Sequence, residues 1–437
     1  MPAIVSNVTV PLLGLCDTAI SGHLGSEVFL AAIAVGSVML NVVFWMFGFL
    51  RGGTTGLTAI AFGRKDDEEV VKVFYRSLFI AIITGLILIA AQNPLFSFLK
   101  LVAGPDEEII NPVKTYFDIR IWGSPALLAT MAISGWFVGV QTTFFPMLIA
   151  ITMNIVNIAI SLILVFPMEK GFEGVALGTV VSNWIGFIIA IGCVMVFRKG
   201  KRMKFSFSHI FHGGLWKYFK VNSNLFLRSF FIICVTMGVT AAGSRLGNLT
   251  LAVNVIVMQF FQFFSFFMDG FAYSGEAIVG KRMGENNYEM LQRSVRRLLQ
   301  WTLATGIIFF VIYYSGTEQI SSLITDNPTV ISGVTDLLLW ICLIPLLSCW
   351  AFIYDGFYIG VTATGRLMIS TFLAAITFFG ITFVRWGCGD FSIGVCNNHY
   401  IWAGFLSYLA VRGIYLSMMW KSTVEKIRTS TQLFNPN

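Results

Sequence analysis

Charge is scarce in this chain of 437 residues: only 12% are Asp, Glu, Lys or Arg, against 56% hydrophobic, and mean hydropathy is +0.79. That balance excludes a soluble domain of this size. Histidine is almost missing, with four residues, His23, His209, His212 and His399, all near connections between apolar runs. There is no HExxH, no CxxC and no Cys/His spacing suited to a metal. Walker A and GxSxG motifs are absent as well. These gaps exclude the common metal, hydrolase and ATPase sites; the chain is not expected to be an enzyme or to hold a cofactor. The apolar runs are continuous and do not alternate, which excludes a transmembrane β-barrel.

What is present is a series of apolar stretches, each near the roughly 20 residues that a membrane-crossing helix needs. Twelve spans are predicted, at about 3–22, 27–50, 74–95, 116–140, 144–166, 172–197, 221–243, 249–276, 298–316, 334–360, 367–386 and 400–420. The fold class is therefore an all-α polytopic membrane protein. The first span has no basic leader or A-x-A cleavage site and reads as an uncleaved helix. Its second-half counterpart is preceded by the amphipathic segment Leu215 to Lys220, which predicts a natural start slightly upstream.

The net charge of +7 invites a nucleic-acid reading, but the distribution of charge argues otherwise. Most Lys and Arg lie in alternate connections and in the tail, as with Arg64 and Lys65, Arg198 to Lys204, Lys281 and Arg282, and Lys421. This is the positive-inside bias, and it places both termini in the cytoplasm. Cys16, Cys193, Cys234, Cys342 and Cys349 fall in spans and read as small core residues. Cys388 and Cys396 share an outward connection, where a disulfide or two free thiols are both open.

The two halves repeat. GWFVGVQTT from Gly135 aligns with GFYIGVTAT from Gly356, an offset of about 221 residues, and Gly63 aligns with Gly284. Six spans per copy is an even number, so the copies are predicted to be parallel. The division is 1–197 for the first six-helix unit, 198–220 for a basic cytoplasmic linker, and 221–437 for the second unit with a short cytoplasmic tail. Parallel six-span halves are a transporter plan.

Polar groups inside the spans mark where such a protein would work. Asp17 is the one ionisable residue in the heart of the first span, where a carboxylate costs about 2.5 to 3.5 kcal/mol. Asn154, Asn157 and Ser161 lie on one face of span 5. Thr179, Ser182 and Asn183 make a similar face on span 6, and Asn41 is predicted to be buried midway along span 2. These groups either line a cavity for a proton, a small cation or a cationic guest, or hydrogen-bond neighbouring helices. In the second half, Gln262, Asp269 and Glu276 follow one line of span 8, with Asp355 in span 10. Arg228 and Arg412 lie in spans 7 and 12, and Arg51 interrupts the end of span 2. The acids read equally as a second proton relay or as internal ion pairs with Arg228, Arg412 or Lys281. The many Phe and Met, as in FFQFFSFFMDGF from Phe260, read chiefly as packing, with a minority suited to a greasy pocket.

Together these residues resemble the MATE multidrug transporters, and within them the DinF branch. The resemblance rests on PLLGLCDTAISGHLG at 11–25, FWMFGFLRGGTTGLTA at 44–59, GWFVGVQTT at 135–143, MDGFAYSGEAIVG at 268–280 and DGFYIGVTATG at 355–365. It implies two six-helix lobes forming a V, and export of drugs and organic cations coupled to inward H⁺ or Na⁺. It also implies that Asp17 is the coupling acid, with Asn157 and Thr179 in the same cavity. Two departures stand out. Relatives with a proposed Na⁺ site carry an Asp four residues after the Asn, where this chain has Ser161, and that favours H⁺. Asn222 to Asn224 reads N-S-N where the branch often has N-R-D.

The expected activity is exchange of H⁺ for amphipathic or cationic small molecules by alternating access. Pro2 and Pro11 interrupt the ladder of span 1 and let it bend. The expected partners are drug-like guests and membrane lipids, in a monomer. The alternatives are a flippase for a lipid-linked precursor, which would need a strongly cationic cavity, and a non-transporting membrane scaffold or receptor.

Overall fold

The computed structural model describes residue 20 and residues 27–104, 107–198, 215–384, 394–395 and 397–434. Span 1 with Asp17 and Cys16, and the Cys388–Cys396 pair, lie outside the described residues. Eleven helical segments among the described residues are long and apolar enough to cross a membrane. They match predicted spans 2 to 12. The chain divides into two compact units, Met1–Phe219 and Lys220–Asn437.

In the first unit, α1 (Glu27–Met46) and α2 (Phe49–Gly63) are joined by a tight turn at Phe47 and Gly48. Helices α3 (Asp67–Ala90), α4 (Gln92–Ala103), α5 (Ile110–Arg120), α6 (Ser124–Gly139), α7 (Phe144–Val165) and α8 (Gly171–Phe197) follow. Helix α4 is a short amphipathic element that hydropathy alone does not reveal; Gly104, in the left-handed region at φ 54°, ends it. Pro125 sits in the first turn of α6, where its missing N–H costs nothing.

The second unit comprises α9 (Leu215–Arg245, beginning just before the boundary), α10 (Asn248–Gly284), α11 (Tyr288–Ser322), α12 (Pro328–Thr335), α13 (Leu338–Gly360), α14 (Thr364–Phe383) and α15 (Asn398–Phe434). Helices α10, α11 and α15 run well past the apolar limits of spans 8, 9 and 12. Their ends are continued by charged, amphipathic turns, as at Arg293, Arg296 and Arg297, which a hydropathy window discounts. Phe260 and Phe264 are buried in the core of this unit while Phe263 is half exposed, so the phenylalanine run divides between packing and the outer surface.

The repeat is visible at the level of single atoms. A Cβ added to Gly135 would lie 2.3 Å from the Arg51 carbonyl oxygen, and one added to Gly356 would lie 2.4 Å from that of Ala272. One turn on, Gly139 abuts the Thr55 carbonyl and Gly360 the Glu276 carbonyl. Two small-xxx-small pairs thus let α6 close on α2 and α13 close on α10, in the same register. Lys65 and Asn286, and Gln141 and Thr362, are matched residues in the left-handed region. Asp66 and Asn287 are matched N-caps, accepting from the N–H of Glu69 and Met290.

Candidate functional site

In the first unit the polar faces of α7 and α8 meet. Gly178 removes the side chain that would otherwise strike Ser161; a Cβ there would lie 2.2 Å from its Oγ. Asn157 Nδ2 donates to Thr179 Oγ1 at 3.0 Å and to Ser182 Oγ at 3.5 Å. Thr179 and Ser182 pass their own protons to the α8 backbone, at Val175 O and Thr179 O. The donors of Asn157 are therefore spent, and its acceptor is not. Asn157 Oδ1 and Ser161 Oγ are both buried with no hydrogen-bond partner among the described residues. They lie four residues apart, on one face of α7.

The remaining predicted residues of this unit are placed as follows. Asn154 is half-buried, one turn before Asn157. Asn183 is buried, with its amide nitrogen against Gly123 at the turn that leads into α6. Asn41 is exposed, which corrects the expectation of a buried residue. The buried face of α1 carries Ile33, Gly36, Leu40 and Phe44, and Asn41 is turned about 100° away from Leu40. Arg51 is half-buried, and its carbonyl lies under Gly135.

In the second unit Asp355 is buried between two arginines. Arg228 Nη2 and Arg412 Nη2 both donate to the same oxygen, Asp355 Oδ2. Arg412 Nη1 also donates to Tyr408 Oη at 3.0 Å, and its guanidinium lies 5.1 Å from the Tyr408 ring centre. Gly413, packed against Trp350, brings α15 close enough to α13 for this contact. Of the two readings of Asp355, the ion pair is the one the geometry displays. Glu276 is buried and Asp269 half-buried along α10, and Lys281 reaches Glu285 at 3.9 Å. Tyr408 was not among the candidate residues; its spacing of four from Arg412 on a helix was the available signal. No group of three or more His, Cys, Asp or Glu among the described residues is arranged to hold a metal ion.

The MatE family model matches residues 2–163 and 225–384. The chain belongs to the MatE family of membrane transporters. DNA damage-inducible protein F of Escherichia coli is 30% identical over 96% of this chain and 90% of its own length. A probable multidrug resistance protein NorM of Thermotoga maritima is 25% identical over 76% of this chain and 72% of its own. A solved MATE structure in complex with MaD3S superposes with a TM-score of 0.86 at 16% identity, covering 98% of this chain and 95% of that one. A transporter of the MOP superfamily from Pyrococcus furiosus, described by a reversed polarity of its binding pocket, superposes with a TM-score of 0.84 at the same identity, covering 98% of this chain and 94% of that one. A MatE chain with eleven membrane-length apolar helices among its described residues works as a multi-pass membrane transporter, not as an enzyme.

Proposed function

We propose that this MatE chain is a secondary-active exporter of amphipathic and cationic small molecules, driven by H⁺ influx across a bacterial inner membrane, with both termini in the cytoplasm. The observation that carries the choice of ion is the α7–α8 oxygen cluster. Asn157 Oδ1 and Ser161 Oγ are neutral acceptors, and neither Asn157 nor Ser161 has a carboxylate as hydrogen-bond partner among the described residues. A hard cation asks for several oxygen ligands with charge among them. A protonated carboxyl asks only for acceptors, and two lie here on one face.

In this reading an ionised Asp17 holds the guest, and protonation from outside cancels the charge and releases it. One charge crossing 100 mV is worth roughly 2.3 kcal/mol, enough to sustain a large concentration ratio. The expected outcome for Asp17→Asn is loss of dye efflux and of its pH dependence, measured in proteoliposomes with pH and Na⁺ gradients imposed separately. Efflux that persists with its pH profile unchanged removes Asp17 from the coupling role. Efflux driven by Na⁺ alone replaces the proton.

A further inference from the structure

The proton and guest chemistry proposed for the first unit leaves the buried charges of the second without a task. Asp355 on α13, Arg228 on α9 and Arg412 on α15 meet at one carboxylate oxygen. Two guanidinium groups against one carboxylate leave one positive charge over. Neither arginine has a second carboxylate partner among the described residues. An uncompensated charge inside a span is costly, and a purely structural pair needs only one arginine per acid.

The surplus comes with spare donors. Among the described residues Arg228 Nε and Arg412 Nε are both buried without an acceptor, and Asp355 Oδ1 without a donor; each Nε is a strong donor. Arg412 is fixed by Asp355 and by its seat over Tyr408. Arg228 keeps 18% of its side chain exposed against 5% for Arg412, so it is the accessible member of the pair. Arginine presents planar, forked donors that match an oxyanion better than a lysine does.

We infer that Arg228 and Arg412 form an oxyanion site, which takes a carboxylate, sulfonate or phosphodiester group carried by an amphipathic molecule. The surplus of one sets the ligand charge at one. Asp355 sets the charge of the site: it draws the two guanidinium groups to one oxygen and reduces their combined charge from two to one. That keeps binding loose enough to reverse, as transport of a cargo requires. The inference rests on the exporter reading for the bound group being cargo, and it widens that cargo from cations to amphipathic monoanions and zwitterions. The same group has two sources, a solute or the headgroup of an anionic lipid.

The test uses the full chain in dodecyl maltoside, a detergent without phosphate, with octanesulfonate, octyltrimethylammonium and dihexanoyl phosphatidylglycerol as probes at fixed ionic strength. Binding is read by calorimetry and melting by tryptophan fluorescence. Octanesulfonate is expected to bind saturably and raise the melting temperature. Arg228→Gln is expected to weaken binding about tenfold or more, and Arg228→Lys less. Free of ligand, Arg228→Gln should melt no lower than the parent, because the Arg412–Asp355 pair left behind is neutral. Asp355→Asn, with both arginines retained, should bind the anion more tightly.

No saturable anion binding by the parent overturns the site, as does equal affinity in Arg228→Gln or weaker affinity in Asp355→Asn. Uptake of octanesulfonate into proteoliposomes identifies a solute cargo. Phosphatidylglycerol binding without such uptake identifies a lipid headgroup and overturns the cargo assignment. Dye efflux on the same preparations separates the two readings. Efflux without anion binding overturns the oxyanion site alone, and anion binding without any efflux overturns the exporter alone.

Discussion

An acceptor oxygen left unpaired in a buried helix hairpin costs about 1 to 3 kcal/mol, and among the described residues α7 carries two without a partner, on Asn157 and Ser161. A carboxylate at the second position would turn this neutral face into one with charge. Ser161→Asp is therefore expected to confer a dependence of dye efflux on a Na⁺ gradient at fixed pH. Efflux that still responds only to pH would show that charge at this position does not choose the ion. The polar faces behind this prediction were legible in the sequence, because Asn157, Ser161, Thr179 and Ser182 recur at helical spacing. Asn41 was misread for a physical reason: one polar residue on an apolar helix does not say which way the helix faces. Its orientation is set by the packing of Gly36 and Leu40, which no spacing argument contains. The shared use of Asp355 by two arginines was equally hidden, since it depends on three helices meeting at one depth.

At the scale of elements, hydropathy located the apolar core of each described span but not its ends. The ends are set by caps, by left-handed turns and by amphipathic extensions, whose signals are local and polar. Thr362 is one such end: a β-branched residue at φ 58°, directly after α13. That conformation suits Asn far better than Thr. Thr362→Asn is expected to stabilise the chain by about 1 kcal/mol, read as a higher melting temperature in detergent. A lower one would mean that the threonine side chain is itself a packing element. The short helix α4 and the turn between α1 and α2 show the same limit, because neither interrupts the apolar signal strongly enough to be read from it.

For the whole molecule, the duplication was the most legible feature, and the matched glycines explain why it is so plain. Gly135 and Gly356 each meet a backbone carbonyl at a distance that leaves no room for a methyl group. Backbone cannot give way as a side-chain tip can, so an alanine at either position must push a pair of helices away from each other. Gly135→Ala and Gly356→Ala are each expected to cost about 1 to 3 kcal/mol, measured as loss of folded protein on heating. One molecule thereby contains the same joint twice, in two different neighbourhoods. The difference between the two losses measures what each neighbourhood contributes, with composition, detergent and membrane history held constant, so the chain supplies its own calibration.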